Sequence, residues 1–592
     1  MSARADEPAA PAAPVKPAGP EVIAEPKPPT MPTEPPKPVP PTEPTEPKPP
    51  PMPVAPVLAP SEKPQFAPFE LGGFAGHAHA TYRVLGWAQP QLQLGRRDTN
   101  DPIDLLHKST FAEHRLTVGF EARRDRLELR FEADILNGLL HAGSNGYVLA
   151  PNEQPAGGVA QPDLADPQRN RDWGVNFSSF ALREAALRYR TDVGQITFGV
   201  TTFNFGQGLA SNSGASALDS ELGDQRWGER VLRLAFSTKP LLLAIGNDAP
   251  DLTVAIGADL VLQDQTAKLF RPLDQWSDRG ATQDVANGFI LGLQHKTDTH
   301  SLGAFITQRT IRKPDSPDVL SGATVPFSTD LKLWAFDLSG DVKHDLSESL
   351  QLYGAFEGVF ALGDTNYVSN DTCAGVGDAG RCNLKQGGAI VRGGVRNAMF
   401  TFDLLGGIAS GDANPFDDSI ENFKFDRDFK VGLIMFDQVL AWQSAQMVKR
   451  ASDPLLTNVP NRGVELLSTD GAVTNALFVQ PTFKLRIKPG ERTSLEFVGS
   501  FLWARAPSAL IDVYWTTKTG ALTNSFGQPA NRNYGVELDA GINLRHTLAP
   551  GLTLFAGVAG GLFLPGNAFV IDGTGATMDS VTQLKGRLAV QF

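Results

Sequence analysis

The sequence is short of several things. Cysteine comes to two residues in 592 and histidine to nine, and no run of eighteen apolar residues occurs. The missing apolar run excludes a transmembrane helix. Cys373 and Cys382 have no histidine near them, which excludes a zinc site of the usual spacing. Basic residues are outnumbered, 53 Lys and Arg against 65 Asp and Glu, for a formal net charge of −12. A nucleic-acid binder would carry a basic patch, so nucleic acid is not an expected partner. There is no Walker motif and no dinucleotide fingerprint. His77 lies before the first expected strand and His79 at its very start, and no histidine stands in a Ser-His-Asp spacing. Neither enzyme activity nor a cofactor or metal is expected.

What the chain has instead is proline (45), glycine (58) and phenylalanine (35). More than half of the prolines fall in residues 1–64, in blocks such as Glu25-Pro26-Lys27-Pro28 and Glu46-Pro47-Lys48-Pro49. Such a segment packs no core and takes up polyproline II, so residues 1–64 read as a disordered arm. The arm resembles the Glu-Pro/Lys-Pro linkers of TonB-type envelope proteins, which implies a periplasmic place and the cell wall as a partner. At its start, Ala3-Arg4-Ala5 has the form of a cleavage site, with a signal peptide expected upstream.

Residues 65–592 change to period two. Leu116, Val118, Phe120 and Ala122 alternate with Arg115, Thr117, Gly119 and Glu121. Leu127, Leu129, Phe131, Ala133 and Ile135 alternate with Arg126, Glu128, Arg130, Glu132 and Asp134. The same grammar recurs to the end, with short turns and long polar loops taking turns. It predicts an all-β chain, a transmembrane antiparallel up-and-down barrel of about 18 strands, from a first strand at 79–95 to a last at 580–592. The final strand sets Leu588, Val590 and Phe592 on one face and Lys585, Arg587 and Gln591 on the other. It resembles the carboxy-terminal insertion signal of bacterial outer-membrane barrels. That resemblance implies outer-membrane lipid and the outer-membrane assembly machinery as partners, in the cell outer membrane of a Gram-negative bacterium.

The polar faces give the expected pore lining: Arg115, Glu121, Arg126, Glu128, Arg130, Glu132, Glu184, Arg188, Arg190, Arg392, Arg396, Glu537, Asp539 and Arg545. Their signs roughly balance, which argues against a single-ion filter and for pairing across strands. Cys373 and Cys382 sit in one long loop, where a small disulfide fits an exported chain, two free thiols being the alternative. The loop 411–474 is too long for a plain connector. Asp412, Asn414 and Asp417 at its start would hold a hard cation or form Asx turns. Residues 431–448 have helical apolar spacing, expected as a lid or plug at the pore mouth. The run Ser410-Gly411-Asp412-Ala413-Asn414-Pro415-Phe416-Asp417-Asp418 resembles a loop of alginate-export-type eighteen-stranded barrels. The reading that follows is a porin-like channel for passive diffusion of hydrophilic solutes. The alternatives are a polysaccharide exporter and a structural envelope anchor with a plugged barrel.

Overall fold

The computed structural model describes residues 68–89, 109–143, 180–214, 228–246, 249–263, 285–313, 329–366, 381–451 and 471–592, with isolated positions between them (92–93, 95, 105–106, 222, 225 and 469). The proline-rich arm lies outside the described residues. Among those described, eighteen strands form one ring. They are β1 (Phe74–Gln89), β2 (Ser109–Arg124), β3 (Leu127–Gly143), β4 (Ala181–Arg190), β5 (Gln195–Thr202) and β6 (Arg230–Thr238). Next come β7 (Leu252–Gln263), β8 (Val285–Lys296), β9 (His300–Lys313), β10 (Thr329–Ser347), β11 (Leu350–Thr365) and β12 (Cys382–Arg396). The ring ends with β13 (Phe400–Ala409), β14 (Ala476–Gly490), β15 (Thr493–Arg505), β16 (Asn533–Ala549), β17 (Leu552–Pro565) and β18 (Val581–Gln591). Each pairs antiparallel with its sequence neighbours, and β1 pairs with β18 to close the barrel. Closure removes every sheet edge, which a strand needs if its backbone is to leave water.

The alternation sorts as the residue types demand. On β18, Leu584 and Leu588 are 58% and 48% exposed on the outside, while Gln583 and Lys585, on either side of Leu584, are each 6% exposed. Phe198, Leu234, Ile256, Phe289, Trp334 and Val391 lie on the same outer surface. An exposed apolar belt of this extent suits lipid and would be an aggregation liability in water. Two corrections to the sequence reading concern β1. It starts at Phe74, so His77 and His79 are inside it. Residues Pro68–Leu71 also double back on it through Gly72 and Gly73, both at positive φ, pairing Pro68 with His77. Three positions further along, Phe592 exchanges both backbone hydrogen bonds with Ala80 (2.9 and 2.6 Å).

Tight turns close one end of the barrel, where the β6–β7 connection is longer and carries α1 (Pro240–Ile245). The long connections gather at the other end. That between β13 and β14 contains a π-helical stretch, Met435–Leu440, running into α2 (Ala441–Ala451). That between β15 and β16 contains α3 (Val513–Thr519), capped by Asp512, whose side chain accepts from Trp515 N. The helix expected at 431–448 is thus present, shifted a few residues along.

Candidate functional site

The barrel interior has two unlike sides. Over β2–β4 it is charged. Arg115 binds Asp134 with two contacts of 2.8 Å. Glu128 is surrounded by Arg123, Arg130, Arg188 and Arg190 at 3.1, 2.6, 3.3 and 3.6 Å. Arg130 also reaches Glu121 at 3.1 Å, and Arg188 reaches Glu184 at 3.6 Å. Glu132 takes His79 Nε2 at 3.2 Å and Arg183 Nε at 3.1 Å. Farther round, Arg392 Nε meets both oxygens of Asp403, at 2.9 and 2.8 Å. Pairs like these keep a wall polar without giving it one sign. Three of the predicted residues lie towards the short-turn rim. Arg126 pairs there with Asp192 at 2.6 Å, Arg396 bonds Gln351, and Arg545 lies 5.2 Å from the Phe555 ring.

Over β11–β18 much of the interior is apolar. Val359, Ile390, Phe478, Leu502 and Phe563 are buried against residues of the β13–β14 loop. From that loop come Phe425, Leu433, Ile434, Phe436, Val439 and Trp442, none more than 2% exposed. Each large side chain buried so fully contributes about 1.5–3 kcal/mol. The loop therefore runs inside the ring.

Wall charges grip the inward chain by its backbone. Glu537 on β16 accepts the amides of Leu433, Ile434 and Met435 at 2.5, 2.8 and 2.6 Å. These are the amides that open the helical stretch and have no partner within it, and a carboxylate there also meets the positive end of the helix dipole. Gly432 makes the approach feasible, at φ +67 with a Cβ position only 2.7 Å from Glu537 Oε1. Asp539, two residues on, is buried beside Ser500, whose Oγ donates to it at 3.2 Å. On β11, Glu357 accepts the amides of Gln207 and, at 2.9 Å, Leu209 from the β5–β6 loop. On β4, Arg183 donates to Ser213 O at 2.8 Å. The two inward loops also hold each other. Asp426 N donates to Leu209 O at 2.6 Å, and Gly228 N donates to Asp428 at 2.7 Å. The grips on β4, β11 and β16 are spread around the ring at roughly thirds.

Between the inward chain and the wall remains a cavity of about 120 Å³, lined by Gln207, Arg392, Asp403, Lys430, Gln480 and Lys484 among others. Its lining mixes these polar groups with Ile390, Leu405, Phe429 and Val498, and its Arg392–Asp403 pair is the one described above. Sequence reasoning missed Arg183, Asp403, Asp428 and Lys430. Arg183 is hidden by a β-bulge: Glu132 pairs with Glu184 but Ala133 pairs with Leu182. The extra residue breaks period two and turns an arginine of the wrong parity inward.

The acid-rich loop start uses its oxygens locally. Asp412, Asn414 and Asp417 each accept a backbone N–H two residues on, from Asn414, Phe416 and Ser419. That is Asx-turn geometry, one of the two outcomes expected. Among the described residues, no group of three or more His, Cys, Asp or Glu is placed to hold a metal ion. Cys382 is disulfide-bonded, and Cys373, the chain's other cysteine, lies outside the described residues.

At the junction of the two loops, burial pushes the Asp426 carboxyl well above its ordinary range, with Glu229 and Asp428 adding to the rise and Arg427 opposing it. A carboxyl raised in the folded state stays protonated where the unfolded chain has already ionised. Its contribution is therefore fully present below about pH 3.8 and is lost as pH climbs towards the folded-state value. We expect the inward loops to become more open to protease as pH rises above about 4, by up to about tenfold per pH unit while the difference lasts. Asp426→Asn should flatten that dependence. An equally steep profile in the variant would remove Asp426 as its cause.

A closed eighteen-stranded barrel, apolar outside and charge-paired within, with long loops at one end, is a porin-like barrel of the outer-membrane type. No family model matches the chain, and no curated protein sequence matches it. Solved structures of similar shape include OccAB1 of Acinetobacter baumannii, at 11% identity and a TM-score of 0.45, covering 87% of this chain and 96% of that one. They also include the outer membrane protein OprD of Pseudomonas aeruginosa, at 11% identity and a TM-score of 0.42, covering 87% and 92%. OccK11 (OpdR) of the same organism stands at 10% identity and a TM-score of 0.42, covering 87% and 95%.

Proposed function

We propose that the chain is an outer-membrane channel for passive diffusion of hydrophilic solutes, its bore narrowed by the β5–β6 and β13–β14 loops. The observation that carries this reading is the divided interior. The inward chain packs on the apolar side over β11–β18, and the charged side over β2–β4 is left as the wettable route. In this reading Arg115, Glu121, Glu128, Arg130, Glu132, Glu184, Arg188 and Arg190 line the route. Arg126, Arg392, Arg396 and Arg545 serve its inner end, and Glu537 and Asp539 hold the constriction. Purified full-length protein in planar bilayers should give ohmic single channels. The apolar packing inside the ring favours a second reading, a plugged anchor tethered through the proline-rich arm, and silence in that experiment would select it.

The orientation is proposed from the loop lengths: short turns and the arm in the periplasm, long loops outside. Whole cells treated with reductant and then a membrane-impermeant thiol reagent should be labelled at Cys373 and not at Cys382, which is buried at the start of β12. Labelling only after the outer membrane is opened would reverse the orientation.

A further inference from the structure

A second cavity, of about 190 Å³, lies at the long-loop end between the start of the β13–β14 loop, α2 and the β15–β16 loop. It shares no lining residue with the cavity at Arg392 and Asp403. At about 30 Å³ per molecule of liquid water, it would hold about six waters, the scale of one sugar ring.

Its lining divides into engaged charges and idle neutral groups. Asp412 is occupied by the amides of Asn414 and Glu421, at 2.9 and 3.4 Å. Asp512 caps α3 through Trp515 N at 3.1 Å, and Lys424 is likewise engaged. Asn422, Gln443 and Ser525 line the cavity from three different segments, and their side chains have no hydrogen-bond partner among the described residues. The Gln443 amide nitrogen is fully buried in that state. A buried amide donor without a partner is uncommon in native proteins and calls for water or a ligand. The apolar part is supplied by Phe526 and Phe569, whose rings meet edge to face at 5.6 Å, with Leu510 and Met447 beside them. An apolar pocket with a few convergent polar groups is the general form of a small-molecule site.

We propose that this cavity binds an uncharged, hydroxylated solute of monosaccharide size. Its hydroxyls meet Asn422, Gln443 and Ser525, and its C–H face rests on Phe526 and Phe569. A charged solute would enter without a free counter-charge, and burying it unpaired is costly. The site does not depend on the barrel conducting.

The test is calorimetric titration of the full-length protein in detergent with D-glucose, D-galactose and D-mannose, beside glucuronate and glucosamine. At least one neutral hexose should bind, with both charged sugars weaker by on the order of tenfold or more. Gln443→Leu keeps the side-chain size and should weaken that binding by on the order of tenfold. Ser525→Ala should weaken it also, and both variants should keep the folded, heat-modifiable mobility of the barrel. No heat with any neutral hexose, tighter binding of a charged one, or full affinity in a folded Gln443→Leu would each overturn the proposal.

Discussion

Deleting residues 425–450 from the full chain should raise single-channel conductance several-fold and admit larger solutes, while the barrel still inserts. The deletion removes Phe425, Phe436 and Trp442, each buried to within 1% of complete, and with them the segment gripped by Glu537. The strands themselves need none of these residues, because their hydrogen bonds run to neighbouring strands. Glu537→Ala is the gentler version. It leaves three amides without their acceptor, at about 1–3 kcal/mol for each that stays buried, and should produce a noisy, intermittently wider channel. Gly432→Ala should act in the same direction, since alanine brings a Cβ into contact with Glu537 Oε1 at a positive φ. Unchanged conductance in a folded, inserted deletion would remove the constriction role from this loop.

Loss of Phe592, or a charge at Leu588, should keep the chain out of the membrane. Leu588 lies on the outer face of β18 and pairs with Val84 of β1 and Ala556 of β17, at the seam that closes the ring. An arginine there should cost about 2–4 kcal/mol at mid-bilayer and less near an interface. Phe592 contributes the last two backbone bonds of that seam, to Ala80. The readout is the fraction of protein recovered in the outer membrane with folded mobility. Normal recovery of both variants would mean that β18 does not face lipid as described.

The strands were legible because each has two environments, and period two writes that difference into the residues. All eighteen are present, although β1 runs from Phe74 to Gln89 where alternation predicts 79–95. For Cys382 the sequence left a disulfide or a free thiol open, and the structure has it disulfide-bonded. The bulge at Arg183 was not, because one inserted residue makes an inward arginine look outward. Glu537 was readable as an interior residue but not as a grip, since its partners lie more than a hundred residues earlier in the chain. Nor could spacing choose between a cation and Asx turns at Asp412, Asn414 and Asp417. That choice rests on amides two residues away and on the local path of the backbone.

The doubled-back segment Pro68–Leu71 has a mechanical consequence. It occupies the same flank of β1 as β18 does, in line with it, so Pro68 stands opposite His77 and Phe592 opposite Ala80. A strand that slips by one residue turns its faces inside out, so the smallest slip that keeps lipid-facing residues towards lipid is two. In the direction of the short turns, that slip would set Phe592 opposite Ala78 and bring it up against Pro68, whose nitrogen has no hydrogen to offer a new partner. The chain thus carries its own end stop, and any longer slip of the closing join in that direction is blocked.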